Sequence, residues 1–190
     1  IGLGTSNCGG TCGLSLTSTE LGKITAGSLT IGDGSNGNIT VEGVSSTDSD
    51  QFGLVTLNAT ASGSSVTFET TDSFFQGLTV NAADGITISS NLTTLNLTLD
   101  GGTGGVIFGG NVTSSGNLSV ISGGAITDTG VLTIAGTSSF TTDVANQTIT
   151  LDNTSNSFTG AVSLSTIGST GNASLTNAAI ALNLGTVGVG

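Results

Sequence analysis

The segment SLTIGDGSNGNITVEG, residues 28–43, shows the pattern that decides the fold. Two short apolar runs, Leu29-Thr30-Ile31 and Ile39-Thr40-Val41, flank a turn rich in Gly, Asn, Asp and Ser. Such turn residues between alternating apolar positions predict two strands joined by a tight connection. Successive side chains of a strand point to opposite faces, so each threonine faces away from its two apolar neighbours. The segment therefore predicts strands with an aliphatic inner face and a hydroxyl outer face.

The same apolar-hydroxyl-apolar triad recurs along the chain at a spacing of roughly 12 residues, which is typical of many short strands. We expect an outward threonine ladder whose members are Thr30, Thr40, Thr56, Thr67, Thr79, Thr87, Thr98, Thr133 and Thr150. Ser15, Ser119, Ser163, Ser174, Asn96 and Asn183 fill the same slot in other triads. The residues expected to point inward include Leu29, Ile31, Ile39, Val41, Leu97, Leu99, Leu132, Ile134, Val162 and Leu164.

The composition indicates one folded all-β domain. The 190 residues include 32 Gly and 34 Thr but no Pro, and only 7% of them are charged. Solvated disordered chains need high net charge and low hydrophobicity, whereas 35% of this chain is apolar. One short helical turn is predicted at STELGK, residues 18–23. We expect residues 1–190 to form a single β-solenoid segment of a longer repetitive chain.

The charge balance narrows the classes of partner. The formal net charge is −11, and Lys23 is the only cationic side chain. Nucleic-acid binding is disfavoured because it depends on Lys and Arg that neutralise phosphates, and anionic membrane surfaces are disfavoured for the same reason. No apolar run approaches the ~20 residues that a membrane-spanning helix needs. We therefore expect no nucleic-acid partner and no membrane-spanning segment.

Two architectures fit short strands at this spacing: an antiparallel sandwich or closed antiparallel sheet, and a parallel β-solenoid. The solenoid is favoured by the very short strands and by recurring Gly-Asn phrases at residues 37–40, 110–113, 116–119 and 171–174. Stacked turns place like residues above one another, and columns of Lys or Glu would repel themselves, whereas Thr, Ser and Asn would not. We predict a parallel β-solenoid of about eight coils, with strands about 4.8 Å apart.

Cys8 and Cys12 are separated by three residues in the segment CGGTC, residues 8–12. A zinc site needs about four ligands, and the sequence has no His and no further Cys. We predict a disulfide across this turn, which would imply an oxidising compartment, and two free thiols are the alternative.

The segments 116–143 and 149–166, and in style 14–32 and 37–44, resemble the repeat regions of very large bacterial surface proteins. These proteins are the filamentous-haemagglutinin-like and β-strand-repeat exoproteins. The resemblance implies a right-handed parallel β-helix in an extracellular or cell-surface fibre or adhesin. It carries over no catalytic residue and no cofactor.

The sequence offers little for catalysis. A polysaccharide lyase would have only Lys23 as a basic group, and a hydrolase would need convergent carboxylates, for which Asp48, Asp50 and Asp72 are the candidates. Asp48 and Asp50 lie on one side of the chain if it is extended, which leaves a calcium site open as an alternative to a plain acidic turn. We expect no enzyme activity, no catalytic residue, no cofactor and no metal.

The remaining hypotheses concern the surface. Phe74 and Phe75 point to opposite faces of a strand at DSFFQG, residues 72–77. One ring is expected in the core, and the other either lies under a loop or forms a contact surface for a neighbouring chain or coil. Apolar, uncharged sequence at both ends predicts end-to-end contacts with like units, and so a homo-oligomer or filament.

The expected function is a structural unit of an extracellular fibre, stalk or adhesin. The alternatives are an adhesin that binds host or surface glycans without forming filaments, and an ice-binding threonine array.

Overall fold

The computed structural model describes residues 1–5, 8–178 and 181–190. Its strands run parallel and stack as a β-solenoid of about six turns. The strands in chain order are β1 Gly2–Gly4, β2 Ser15–Thr17, β3 Ser28–Asp33, β4 Ile39–Glu42, β5 Leu54–Ala59, β6 Val66–Phe68, β7 Ser73–Ala82, β8 Ile86–Ile88, β9 Leu92–Asp100, β10 Val106–Phe108, β11 Val112–Ser114, β12 Leu118–Ser122, β13 Ile126–Asp128, β14 Leu132–Ile134, β15 Ser138–Thr142, β16 Ile149–Leu151, β17 Ser157–Phe158, β18 Val162–Ser165, β19 Ala173–Leu175 and β20 Leu184–Gly188.

The strands form three faces. Face 1 is a nine-stranded sheet in the order β19-β16-β13-β10-β8-β6-β4-β1-β2. Face 2 joins β3, β5, β7, β9, β12, β15, β18 and β20. Face 3 begins with the first residues of β7 and β9, because β9 pairs with β11 through Leu92 and with β12 through Leu97, and it continues through β14 and β17. The long strands β7 and β9 therefore bend from face 3 into face 2.

The predicted fold class is confirmed, with fewer turns than the eight expected. The most regular part repeats every 20 residues, since Thr87 pairs with Ile107 and Ile107 with Thr127. The next interval is longer, because Thr127 pairs with Thr150. At the N-terminal end, β1 lies between β2 and β4 in face 1, so that this strand adds to the sheet without adding a complete turn.

The interior contains the aliphatic residues that the triads predicted. Ile39, Val41, Leu132, Ile134 and Val162 are fully buried. Leu29 is only partly buried, because it lies in β3 at the end of face 2, but it packs against the core. Six of the seven phenylalanines are among the largest fully buried side chains: Phe52, Phe68, Phe75, Phe108, Phe140 and Phe158.

Two helical turns connect face 1 to face 2 in the first turns of the stack, where face 3 has no strand yet. The predicted turn is α1, Ser18–Leu21, where the side chain of Thr17 and that of Glu20 cap each other's backbone N–H. A second turn, α2 at Ser46–Ser49, lies beside α1 and packs against β7. In the described ranges, no helix is long and apolar enough to cross a membrane.

Candidate functional site

The outward threonines of the triads lie in three separate columns, one on each face. On face 1, Thr40, Thr67 and Thr87 pair in register, and the column continues through Ile107, Thr127, Thr150 and Ser174. The column contains no charged side chain. Ile107 interrupts it with a side chain that is 46% exposed.

Face 2 carries the longest run of hydroxyls. Thr30, Thr56, Thr79 and Thr98 pair in register from β3 to β9. Serine takes over in the later turns, at Ser119, Ser139 and Ser163. A second outward column runs beside it two residues further along each strand, and there Asn81 donates a side-chain hydrogen bond to Asn58 Oδ1 at 2.7 Å.

Thr133 lies on face 3, apart from the other eight threonines of the expected ladder. Its neighbours in register are Thr113 and Ser157, and the column continues backward through Thr93 to Phe74. The nine triads therefore supply three columns, because successive strands of one turn point in three directions.

Asparagine side chains link successive turns at the edges of face 3. Asn91 Oδ1 accepts a hydrogen bond from the backbone N–H of Asn111 at 3.1 Å, and Asn111 Oδ1 accepts one from Val131 at 2.9 Å. A second set runs from Asn96 Oδ1 to the N–H of Asn117, and from Asn117 Oδ1 to the N–H of Thr137, both at 2.9 Å. The Gly-Asn phrases at residues 110–113 and 116–119 mark members of these two sets in the sequence.

The replacement of Asn117 by alanine tests this link. Its Oδ1 atom accepts from both the N–H and the Oγ1 of Thr137, so Asn117→Ala removes two hydrogen bonds at once. We expect a loss of about 1 kcal/mol in the free energy of unfolding, measured by urea denaturation, because both partners are exposed to water. Asn117→Asp keeps the accepting oxygen and should lose clearly less. An equal loss in both variants would contradict the role assigned to this oxygen.

The residues considered for catalysis do not form one site. Asp48 lies in α2, where Ser45 Oγ donates to it, and Asp50 directly follows α2, so the two carboxylates do not belong to an extended segment. The cause is local, because Ser45, Thr47 and Asp48 bond to one another and wind the chain into a helical turn. Asp72 accepts from the N–H and Nδ2 of Asn91 and so belongs to an asparagine set.

Lys23 follows α1, and its backbone N–H donates to the carbonyl of Glu20 at 3.1 Å. The Thr17 N–H and hydroxyl, which both bond to the carboxylate, lower the pKa of Glu20. Among residues 1–5, 8–178 and 181–190, no group of three His, Cys, Asp or Glu side chains is placed to hold a metal ion.

Phe74 and Phe75 separate as their alternation requires. Phe75 is fully buried and is therefore wrong as a member of a contact surface. Phe74 is half-buried on the outer side of face 3, beside a shallow groove that Thr93 and the 46%-exposed Leu95 also line. Only Phe74 of this pair is available to a ligand or partner.

The cysteines are joined in this structure. Cys8 and Cys12 form a disulfide with Cα atoms 5.4 Å apart, next to a 3₁₀ turn at Cys8–Gly10. The bridge closes a loop that lies beside Asn38 and Thr40 at the start of face 1. A loop this small removes little entropy from the unfolded chain, so its effect is local.

The two end regions of the stack differ. β1 is paired on both sides, and the edge strand β2 beyond it has only three residues. At the other end, every residue of β20 is exposed. Leu184 and Val187 are in register with the inward residues Val162 and Leu164, yet they are 55% and 48% exposed. They continue the rows of the core to an edge.

Comparison with known proteins adds one finding. A family model described as repeats of unknown function (DUF5649) matches residues 94–165, which run from β9 to β18. This part includes the pairings of Ile107 with Thr127 and of Val112 with Leu132, which are each 20 residues apart. No curated protein and no solved structure matches the chain. The chain is thus similar to a family of repeats over residues 94–165 of the solenoid.

Proposed function

We propose that this solenoid is a structural unit of an extracellular bacterial fibre, stalk or surface adhesin, joined end to end to like units. The observation that carries the proposal is the edge at β20, where Leu184 and Val187 extend two inward rows of the core without being covered. An uncovered apolar row at a sheet edge is a template for a further strand of the same pattern.

The chemistry of the edges supports contact between like units. Edge strands that must stay unpaired usually carry charged residues or proline. β20 and β2 contain neither, and no charged residue follows Asp152 in the sequence. If β19 of one unit stacked on β2 of the next, the columns of face 1 would continue from unit to unit. Ser174 and Ser15 belong to the same outward column, and Leu175 and Leu16 to the same inward row.

The chemistry of the lateral faces favours a function as part of a rod over a function as a compact binding domain. Their columns consist mainly of Thr, Ser and Asn, which pack closely side by side and do not repel one another as charged columns would. The Cys8–Cys12 disulfide agrees with an oxidising, extracellular location.

The test is the size of the 190-residue chain in solution and its appearance by electron microscopy. We expect rods or longer assemblies at high concentration, and Val187→Lys should reduce them because it places a charge on the exposed edge. Thr113→Lys places the same charge on a lateral face and serves as the control. A monodisperse monomer at all concentrations would overturn the end-to-end proposal.

A second candidate rests on the groove beside Phe74. An aromatic side chain next to Leu95, with Gln76 and Thr93 at its rim, offers an apolar surface and hydrogen-bonding groups to a neutral sugar. The candidate function is adhesion to host or surface glycans. It predicts binding of neutral glycans on an array that is lost in Phe74→Ala. A chain that binds no glycan, or binds equally well in Phe74→Ala, would contradict it.

A further inference from the structure

Asp128 is an acid in a row of the core that is otherwise apolar. Phe68, Ile88 and Phe108 pair in register on the inner side of face 1, and the next residue in this row is Asp128. Its side chain is only 6% exposed. A buried carboxylate requires hydrogen-bond donors, and these come from the next turn.

The donors belong to the loop of residues 152–156. Asn156, which is fully buried, donates from Nδ2 to Asp128 Oδ2, and the backbone N–H of Asn153 donates to Asp128 Oδ1 at 3.4 Å. The loop is also held by Asn153 Nδ2, which donates to the carbonyl of Thr129 at 2.7 Å. Asp128 thus anchors this loop onto the preceding turn.

Asn156 also replaces a backbone partner in the ladder of face 3. In the earlier turns, the N–H of Leu92 donates to the carbonyl of Asn111, and that of Val112 to the carbonyl of Val131, both at 2.9 Å. In the next turn, the N–H of Leu132 donates to the side-chain Oδ1 of Asn156 at 2.8 Å. The hydrogen bond of Leu132 therefore reports whether Asn156 is in place.

We propose that Asp128, Asn156 and the loop of residues 152–156 form a proton-controlled clasp, which opens less readily when Asp128 is protonated. Opening of the loop exposes the carboxyl group of Asp128 to water. The hydration free energy that the group regains favours opening only while the group is ionised. Protonation removes the cost of burying the charge and leaves the bond from Asn156 Nδ2 to Oδ2 in place. The clasp stands independently of the proposed fibre.

The electrostatic surroundings agree with this direction. Burial raises the pKa of Asp128 above its ordinary value of 3.8, and the nearby carboxylate of Asp152 adds to the rise, against the hydrogen bonds from Asn156, Asn153 and Asp152. Phe108 on the preceding turn is uncharged, and the only cationic side chain, Lys23, belongs to the first turns. With the pKa raised by folding, the stabilisation is complete below pH 3.8 and is lost as the pH rises through the raised value.

Glu20 provides a contrast of opposite sign. Folding lowers its pKa, so its contribution to α1 is present above the ordinary value of 4.5 and is lost as the pH falls. Acid is therefore expected to loosen α1 and to tighten the loop of residues 152–156.

The test is amide hydrogen exchange of the 190-residue chain, followed residue by residue by NMR and corrected for intrinsic rates. Between about pH 7 and about pH 4, we expect the protection of the Leu132 amide to rise severalfold as Asp128 takes up a proton. The Val112 amide, whose acceptor is a backbone carbonyl, should show no such rise. Protection of Leu132 that does not change with pH would overturn the clasp.

Two variants complete the test. Asp128→Asn should abolish the pH dependence at Leu132, while Asp143→Asn, which removes an exposed acid from the same turn, should keep it. An unchanged rise in Asp128→Asn would also overturn the proposal. If Asp128→Asn does not fold, the comparison of Leu132 with Val112 in the native chain decides the question.

Discussion

Replacement of Phe108 by alanine is expected to lower the free energy of unfolding by about 3–5 kcal/mol. Phe108 is fully buried in the inward row between Ile88 and Asp128. Its strand, β10, is hydrogen-bonded to β8 on one side and to β13 on the other, and this pairing fixes the distance between turns. The cavity left by the ring therefore has little freedom to collapse, which places the cost high in the usual range.

Phe74→Ala is the matched control, because it removes the same ring from the outer side of face 3. Phe74 is half-buried beside Thr93, and we expect a clearly smaller loss. Urea denaturation of both variants and the native chain, with the transition midpoint and its slope, measures the difference. Equal losses would mean that the inward row does not carry the stability of the stack.

The inner and outer positions of the strands could be predicted from the sequence because they depend on local alternation. Leu97, Thr98 and Leu99 show this: the two leucines are buried and the threonine is exposed. The period of two residues is a property of any strand, whatever it pairs with. The predicted α1 also follows from local chemistry, since Thr17 and Glu20 cap it within four residues of one another.

The division into three faces could not be predicted, because it depends on which strands pair. Thr98 and Thr133 each lie between two aliphatic residues in the sequence, yet one lies on face 2 and the other on face 3. The insertion of β1 between β2 and β4 is likewise a non-local pairing. Nothing in a triad specifies its partner one turn away, and the stacking of whole turns decides it.

Asp128 was missed, although a signal for it exists in the sequence. Ile126 and Thr127 begin a triad in which Asp128 occupies the second apolar slot. A charged residue in an inward slot predicts a buried partner, and the run DNTSN at residues 152–156 offers amide groups one turn later. The helical turn α2 was missed for a different reason, since Ser45 and Asp48 bond locally in a segment without helical periodicity.

Gly130→Ala is expected to destabilise the chain by about 1–3 kcal/mol, because it overpacks a corner of the stack. Gly130 is buried after β13, and a Cβ atom there would overlap with the backbone oxygen and carbon of Gly110 in the preceding turn. Both clashing atoms belong to the main chain, so no side-chain rotation relieves the overlap. The N–H of Gly130 donates to the carbonyl of Phe108 at 3.0 Å, which further limits any shift of the corner.

Gly13→Ala is the control that separates this clash from the general effect of removing a glycine. Among the described residues, and apart from the chain neighbours of Gly13 itself, no atom lies within 4 Å of a Cβ atom at this position, and its backbone is outside the left-handed region. By restricting the unfolded chain, Gly13→Ala should change the stability by less than about 1 kcal/mol and in the stabilising direction. The midpoints of thermal and urea unfolding should therefore shift in opposite directions in the two variants, relative to the native chain. A shift of Gly130→Ala in the same direction as Gly13→Ala would mean that adjacent turns are not packed backbone to backbone at this corner, and that the stack tolerates a wider spacing than its ladder imposes.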